Sequence, residues 1–202
     1  CSGLVGSEMC IRDRAEGQTL LVHAGAGGVG HVAIQLAKQV GARVMTTVSS
    51  DEKAEFVRGL GADVVINYRE EDFVEVVLEH TQGQGADLVL DTVGPEVLKQ
   101  SIPATAHYGD LVTLLDPGPD IDWKEARMRN LRLGFTLMLT PMLRELPQAR
   151  AEQVTILCNC SEFIDSGNLK LTLADTLPLN QAAEAHRRIE EGHTQGKLVL
   201  IP

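Results

Sequence analysis

A glycine-rich hexapeptide is the first candidate for chemistry in this chain. Gly25, Gly27 and Gly30 fit the spacing G-x-G-x-x-G, and the apolar run before them, residues 19–23, is typical of a buried strand. The first glycine permits a tight turn, the second lets the backbone approach a pyrophosphate, and the third lets a helix pack closely on the strand. The helix that follows offers free N–H groups and a partial positive charge to phosphates. The pattern predicts a dinucleotide-binding site.

Two other interpretations of this segment stay open from the residues alone. The glycines could form a turn that only allows a strand and a helix to pack tightly. The loop could also belong to a methyltransferase, whose α/β sheet opens with a similar loop that usually follows an acidic residue. Here the first strand ends Val22-His23-Ala24, which disfavours a methyltransferase.

The end of the second predicted strand favours NADPH over NADH. Sites for the unphosphorylated cofactor usually place Asp or Glu about 20 residues after the glycines, where it bonds the ribose 2′-hydroxyl. Here the strand ends in Ser49 and Ser50, which leave room for a 2′-phosphate, and Lys53 follows to supply positive charge. Asp51 and Glu52 argue for NADH, although Asp51 is explained as the cap of the next helix.

Strands and helices alternate along most of the chain. Gly-Ala pairs at positions 41–42, 61–62 and 85–86 each mark a helix end and a strand start, because glycine accepts the left-handed cap conformation. Short apolar strands separated by helices imply right-handed crossovers and a parallel sheet covered on both faces. The sequence therefore predicts an α/β domain with a doubly wound parallel sheet, the Rossmann fold. Strands are expected at residues 19–23, 43–48, 63–67, 87–91 and 109–115, and helices at residues 28–39, 51–59, 72–81 and after Pro95.

The pattern changes after Leu115. A turn-rich connector at residues 116–120 precedes an apolar segment at residues 131–139, which is expected to form a last strand. Further elements are predicted as a helix at residues 148–166, a strand near 169–173, a helix near 180–191 and a strand at 197–201. We assign residues 15–168 to the dinucleotide-binding domain and residues 169–202 to a different structural unit.

Residues 1–14 differ from the rest of the chain. They show no periodicity, lack the apolar stretch of a signal peptide, and end in SEMCIRDR, which resembles translated sequencing-adapter read-through. We expect native sequence to begin near Ala15, with a disordered native linker as the alternative.

Composition excludes several classes of function. The 202 residues carry 18 Lys and Arg against 28 Asp and Glu, and this net charge of −10 disfavours nucleic acid or an anionic membrane as a partner. No apolar run approaches the ~18 residues of a membrane helix. Aromatic residues, at 3%, are too scarce for stacking on bases. We expect a small-molecule substrate, no nucleic acid and no membrane.

The four cysteines predict neither a disulfide scaffold nor a metal site. Cys158 and Cys160 lie two positions apart in a helical pattern, so their thiols point in different directions. The spacings C-x-x-C and H-x-x-x-H do not occur. The histidines show no partner typical of a catalytic triad, so no catalytic residue is assigned. Free thiols suit a reducing compartment, and we expect a cytoplasmic protein.

Five segments carry a family resemblance: VHAGAGGVGHVAIQLAK, TTVSSDEKAEF, LGADVVINYREEDF, DLVLDTVG and GKLVLIP. In this order and spacing they resemble the coenzyme half of the medium-chain dehydrogenase/reductase superfamily, and particularly its NADPH-dependent quinone oxidoreductase branch. The resemblance covers nearly all of residues 15–202.

The resemblance implies a set of cofactor contacts. It places the pyrophosphate on the glycine-rich loop and the 2′-phosphate near Ser49, Lys53 and Tyr68. It places the riboses and the nicotinamide near the turn at residues 91–94 and the strand end at residues 114–115. Tyr68 has a second interpretation as a half-buried strand-end residue, and Asp91 as a turn former. The expected cofactor-binding residues are Gly25, Gly27, Gly28, Val29, Gly30, Ser49, Ser50, Lys53, Tyr68, Asp91, Thr92, Val93, Gly94, Leu114 and Leu115.

The resemblance also implies an activity. Family members transfer hydride between the nicotinamide and a quinone, enone, aldehyde or alcohol, in a cleft between this domain and an upstream catalytic domain. Residues 169–202 resemble the segment that returns to that catalytic domain. Without the upstream domain we expect the chain to bind NADPH but to show no useful turnover. The alternative is a non-catalytic NADP(H)-binding or sensing module.

Two further implications concern metal and assembly. The zinc-dependent branch of the family takes its ligands largely from the upstream region, so these residues leave zinc dependence open. Residues 131–139 resemble the edge strand through which family members pair their coenzyme domains. The full-length protein is therefore expected to form a homodimer, with an internal buried strand as the alternative interpretation of this segment.

Overall fold

The computed structural model describes residues 17–192 and 194–202, so the predicted leader at residues 1–14 lies outside the described residues. In chain order the strands are β1 (Thr19–Val22), β2 (Arg43–Val48), β3 (Val64–Asn67), β4 (Ala86–Asp91), β5 (Thr105–Thr113), β6 (Arg132–Phe135), β7 (Leu173–Pro178) and β8 (Lys197–Ile201). The helices are α1 (Gly30–Gln39), α2 (Asp51–Gly59), α3 (Phe73–His80), α4 (Pro95–Ala104), α5 (Lys124–Met128), α6 (Thr140–Leu143), α7 (Pro147–Asp165) and α8 (Ala182–Glu190), with a 3-10 turn at Leu179–Gln181.

Strands β1 to β6 form one parallel sheet in the order β3-β2-β1-β4-β5-β6. Leu21 at its centre pairs with Met45 of β2 on one side and Val89 of β4 on the other. The strand order reverses between β1 and β4, and sheets of this kind bind ligands at the carboxyl ends of the strands beside that reversal. The predicted doubly wound α/β fold is confirmed.

Alternate residues of β1 belong to two separate cores, because successive strand residues point to opposite faces of the sheet. On one face Val22 packs with Val32 of α1 and Val57 of α2. On the opposite face Leu21 packs in the core that contains Leu98 of α4. Burial on both faces explains why the strands are almost continuously apolar. Among the described helices, none combines the length and the hydropathy needed to cross a bilayer.

The bounds of α2 match the prediction, but its N-cap does not. Ser50, and not Asp51, is the N-cap: its hydroxyl accepts a hydrogen bond from the Lys53 N–H at 3.4 Å. Serine and aspartate suit this position equally well, so their order along the chain could not decide between them. The cap of α3 follows the prediction, since the Asp72 carboxylate accepts from the Val74 N–H at 2.8 Å.

The elements after β5 differ most from the predictions. The strand expected at residues 131–139 is limited to β6, and the strand expected near residues 169–173 lies instead at β7. Leu169 is 1% exposed because it packs into the core that also contains α1, and the chain becomes extended only after this anchor. Strands β7 and β8 pair in parallel as a separate two-stranded sheet.

Candidate cofactor site

The glycine-rich segment forms the loop between β1 and α1, at the carboxyl edge of the sheet. The Gly25 N–H donates to the Thr47 carbonyl at 3.0 Å, and the Gly27 N–H donates to the Ala24 carbonyl at 2.9 Å. The N–H groups of Gly28 and Val29 donate to no described residue. Unsatisfied donors at the start of a helix are suited to an anionic oxygen. The helix itself begins at Gly30, two residues later than predicted.

Three glycines of the loop lack space for a side chain. A Cβ at Gly25 would overlap the Thr46 hydroxyl, and one at Gly30 would overlap the Ala24 carbonyl oxygen. A Cβ at Gly27 would lie 3.1 Å from the same carbonyl oxygen. Tight packing therefore accounts for these glycines, but it leaves the free N–H groups of the loop unexplained.

A cavity of about 640 Å³ lies between the ends of β2 and β3 and the C-terminal residues. Ser49, Ser50, Lys53 and Arg69 line this cavity, which we call the basic cavity after Lys53 and Arg69, its cationic side chains without an ion pair in the described chain. Its lining also includes Arg188 and the acidic residues Glu52, Asp175 and Glu191. The Lys53 ammonium donates to the Ser49 hydroxyl at 3.2 Å and to the Gly192 carbonyl at 3.4 Å. Lys53 and Arg69 form no ion pair with a described carboxylate, so both charges are open to an anion.

Sequence reasoning missed Arg69. Its position in the sequence could have indicated this role, because Arg69 lies two residues beyond the end of β3, and β3 is the neighbour of β2 in the sheet. Carboxyl ends of neighbouring parallel strands meet at one edge, so a basic residue after β3 is placed close to a basic residue after β2.

Tyr68 lines a second cavity, of about 430 Å³, and not the basic cavity. This apolar cavity is also lined by His23, Phe73, Val93 and Val97, and Tyr68 is half-exposed at its wall. Ser49, Ser50 and Lys53 thus line one cavity and Tyr68 lines another, and the place of Tyr68 near a 2′-phosphate stays a prediction. Tyr68 and Val93 both line this apolar cavity.

The turn after β4 is held by the Asp91 carboxylate. Asp91 is completely buried and accepts from the N–H groups of Val93 at 3.0 Å and Gly94 at 3.2 Å, and from the Thr113 hydroxyl at 2.8 Å. The Thr92 hydroxyl donates to the His23 carbonyl at 2.9 Å. Asp91 and Thr92 thus position the turn, and Val93 is the member of it whose side chain is exposed.

Leu114 and Leu115 lie just beyond β5, beside the same turn. The Leu114 N–H donates to the Asp91 carbonyl at 3.1 Å, and the Leu115 N–H donates to the Thr113 hydroxyl at 3.2 Å. A Cβ atom added to Gly94 would lie 3.4 Å from the Leu115 Cδ1 atom, so the Leu115 side chain packs close to this turn. The Leu115 side chain is partly exposed at the edge of the sheet.

His23 at the end of β1 is a buried, neutral imidazole. Its Nε2 atom lies 2.9 Å from the Ser101 hydroxyl, and its Nδ1 atom lies 3.2 Å from the Thr47 hydroxyl. Phe73 packs edge-on against the ring, with centroids 4.8 Å apart. Burial lowers the pKa of His23 to about 3, so at neutral pH the ring is uncharged and does not take up a second proton.

The chain matches a known family over most of its described length. The zinc-binding dehydrogenase family model matches residues 60–200. The chain belongs to this family. The match confirms the resemblance to the medium-chain dehydrogenase/reductase superfamily and its quinone oxidoreductase-like members.

Individual proteins that are similar to this chain agree with this assignment. The 2-haloacrylate reductase of a Burkholderia species is 35% identical over an alignment of 192 residues that covers 92% of this chain and 56% of that protein. The crystal structure of Escherichia coli quinone oxidoreductase complexed with NADPH superposes with a TM-score of 0.87 at 30% identity, over 100% of this chain and 63% of that one. An NAD-dependent alcohol dehydrogenase superposes with a TM-score of 0.84 at 31% identity, over 100% and 56%. The chain spans about 56–63% of the length of these relatives.

The family name implies zinc, whereas the described residues hold no site for it. Within residues 17–192 and 194–202, no three His, Cys, Asp or Glu side chains come together as metal ligands. Cys158 is exposed and Cys160 is buried. A dinucleotide fits better, since the glycine-rich loop offers unpaired N–H donors and the basic cavity offers unpaired cations.

Proposed function

We propose that the chain binds NADPH along the carboxyl edge of its six-stranded sheet. This proposal is supported by one observation: backbone N–H groups without a described partner and cationic side chains without a described ion pair lie at the same edge of the sheet. The N–H groups of Gly28 and Val29 suit the pyrophosphate, and Lys53 and Arg69 suit a 2′-phosphate.

The groups at the end of β2 support NADPH rather than NADH. Ser49 and Ser50 follow the strand where NAD sites usually carry an acid. Glu52 lines the basic cavity and argues for NADH, but its carboxylate accepts a hydrogen bond from the Gln195 amide at 3.3 Å. Because related proteins with this fold include an NADPH complex and an NAD-dependent enzyme, the choice depends on these side chains.

We further propose that the full protein is an oxidoreductase acting on a quinone, enone, aldehyde or alcohol. Bound cofactor supplies the hydride or accepts it. The residues of this chain hold and orient that cofactor: the glycine-rich loop binds phosphate, and Asp91 fixes the turn that carries Val93. His23 is uncharged at neutral pH, and its backbone carbonyl accepts a hydrogen bond from the Thr92 hydroxyl of the same turn.

The relatives support a reductase, since they include a 2-haloacrylate reductase and a quinone oxidoreductase. The decisive experiment is to read the source DNA upstream of the Ala15 codon and to express the complete reading frame. We expect a further β-rich domain and NADPH-dependent reduction of a quinone or enone. A frame without such a domain, whose product binds NADPH without turnover, would favour the non-catalytic module.

We also propose that the full protein forms a homodimer through β6. This strand is the edge of the sheet, so its outer backbone groups are open to pairing with a second copy. Leu133 and Phe135 on β6 are 40% and 63% exposed, which is unusual for an apolar strand that stays uncovered.

A further inference from the structure

Polar side chains at four-residue intervals along α1 hold residues 168–172, the segment that leads from α7 to β7. They are His31, Gln35 and Gln39, and together we call them the polar ladder. The Gln39 amide donates to the Asn168 carbonyl at 2.7 Å. The Gln35 amide donates to the Lys170 carbonyl at 3.0 Å, and its oxygen accepts from the Lys170 N–H at 2.9 Å. Since these bonds go to backbone groups, they fix the position of the segment whatever side chains it carries.

The polar ladder matches the segment because their repeats are almost equal. Four residues of an α-helix rise about 6 Å, and two residues of an extended chain span about 6.6 Å. Successive members of the ladder therefore meet alternate residues of the segment, which runs antiparallel to α1. Leu169 lies between two of these contacts and is 1% exposed in the core beside α1. A slip by one residue would remove Leu169 from this core, so the contacts define a single register.

His31 is the member of the ladder that also contacts the glycine-rich loop. Its Nδ1 atom lies 2.8 Å from the Gly27 carbonyl oxygen, which only accepts, so Nδ1 carries the proton. Its Nε2 atom then accepts from the Thr172 N–H at 3.4 Å. The ring is fully buried, and burial lowers the pKa of His31, which favours this neutral form. One imidazole thus connects the loop with the segment.

The bond to Gly27 sets the direction of a donor in the loop. A peptide unit is planar and trans, so the Gly27 carbonyl and the Gly28 N–H point in opposite directions. The backbone N–H and the ring of His31 bind the Gly27 carbonyl at 3.2 Å and 2.8 Å, and together they draw this oxygen toward α1. The Gly28 N–H is consequently turned away from His31, and it donates to no described residue.

The paired strands β7 and β8, which we call the C-terminal sheet, reach the loop at a second point. The Gly196 N–H donates to the Ala26 carbonyl of the loop at 2.9 Å. The Lys197 N–H donates to the Thr172 carbonyl at 2.9 Å, so the residue that is bonded to the imidazole is also bonded to β8. The loop and the C-terminal sheet are therefore joined at two neighbouring points.

We propose that His31, Gln35 and Gln39 are positioning residues of the cofactor site. Gln35 and Gln39 fix the segment on α1, and His31 uses this fixed segment to hold the Gly27–Gly28 peptide with its N–H facing a bound phosphate. This inference rests on the proposed function and adds to it residues that act behind the loop without touching the dinucleotide. Because the ring of His31 binds the loop and the segment at once, the two are linked. A dinucleotide on the loop stabilises the docked C-terminal sheet, and docking raises the affinity for the dinucleotide by the same factor.

The first test compares dissociation constants for NADPH and NADH, measured on the whole chain by nicotinamide fluorescence. His31→Phe is expected to weaken both by about fivefold or more, because the pyrophosphate is common to both dinucleotides. His31→Asn keeps a donor near the position of Nδ1, and it is expected to bind both about threefold or more tightly than His31→Phe, the net effect of one hydrogen bond. His186→Phe is the matched control, because His186 is exposed on α8.

These affinities separate the inference from the proposed function. His31→Phe within about twofold of the wild type, or His31→Asn no tighter than His31→Phe, would overturn the inference alone. Failure of the wild-type chain to bind either dinucleotide would overturn the proposed function as well.

The second test follows hydrogen exchange of the backbone amides in residues 168–172 by mass spectrometry. In the wild type, saturating NADPH is expected to slow this exchange by about fivefold or more, because the bound dinucleotide stabilises docking through His31. Gln35→Met is expected to speed the exchange without NADPH. Gln148→Met is the matched control, because Gln148 is exposed on α7, and it should leave the exchange unchanged.

His31→Asn distinguishes this linkage from a direct effect of the cofactor on the segment. The variant has no atom in the place of Nε2, so NADPH should bind to it but no longer slow the exchange of residues 168–172. Exchange that NADPH leaves unchanged in the wild type, or slows equally in His31→Asn, would contradict the inference even if His31→Phe failed to fold.

Discussion

Mild acid is expected to destabilise the fold through His23. The hydrogen-bond network assigns its neutral tautomer: the Ser101 hydroxyl donates to the Val97 carbonyl at 2.7 Å and so accepts from His23 Nε2. The Thr47 hydroxyl then donates to Nδ1. A second proton, on Nδ1, would point at the hydrogen of the Thr47 hydroxyl, and the charged ring would be almost completely buried, since His23 is 1% exposed. The folded state therefore resists protonation more strongly than the unfolded chain does.

The magnitude follows from the two pKa values. In the unfolded chain His23 titrates near 6.5, whereas burial lowers its pKa in the fold to about 3. Stability due to the neutral ring is complete above pH 6.5 and is lost progressively as the pH falls towards 3. The loss amounts to about 2 kcal/mol at pH 5 and about 5 kcal/mol in full.

Urea unfolding at pH 7 and pH 5 measures this effect. The wild-type chain loses stability from all its titrating groups, and His23→Gln is expected to lose about 2 kcal/mol less between these pH values. His186→Gln is the matched control, because His186 is exposed on α8. We expect this variant to follow the wild type. An identical loss of stability in His23→Gln and the wild type would refute the assignment of a buried neutral His23.

Two further substitutions test the fold and the assembly. Gly30→Ala should lower the free energy of unfolding by about 2 kcal/mol or more, because its Cβ would overlap the Ala24 carbonyl. Gly59→Ala is the control, because a Cβ at this helical position meets open space. It should leave the free energy of unfolding unchanged or raise it by up to about 1 kcal/mol. Urea unfolding measures both, and equal effects would contradict the packing argument. In sedimentation of the full-length protein, Phe135→Lys should convert dimers to monomers while Ile189→Lys on α8 should not; a dimer that survives Phe135→Lys would exclude β6 as the interface.

Much of the sheet could be predicted because local signals mark its elements. Capping and apolar residues gave α2 and β8 with the bounds that the structure shows. The Gly-Ala pairs predicted the helix ends correctly because a glycine after a helix often adopts a positive φ angle. Gly41 and Gly61 do so, at 76° and 101°. Such signals depend on a few neighbouring residues, which a single sequence displays directly.

The remaining features depend on contacts between distant segments. β7 is shifted because Leu169 is drawn into a core beside α1, and residues 169–173 alone do not show this. Tyr68 was placed near Lys53 through the family resemblance alone, because the cavities that the residues after β3 line depend on the pairing of β3 with β2.

Binding of NADPH at the edge of the sheet, with recognition of its 2′-phosphate, can be measured by isothermal titration. The titration uses the wild-type chain and Lys53→Ala, each with NADPH and with NADH. We predict that the wild type binds NADPH more tightly than NADH. Lys53→Ala should weaken NADPH by about tenfold or more and change NADH by less than about twofold, because only NADPH carries the phosphate. Equal losses for both cofactors, or no binding of NADPH by the wild type, would contradict the account.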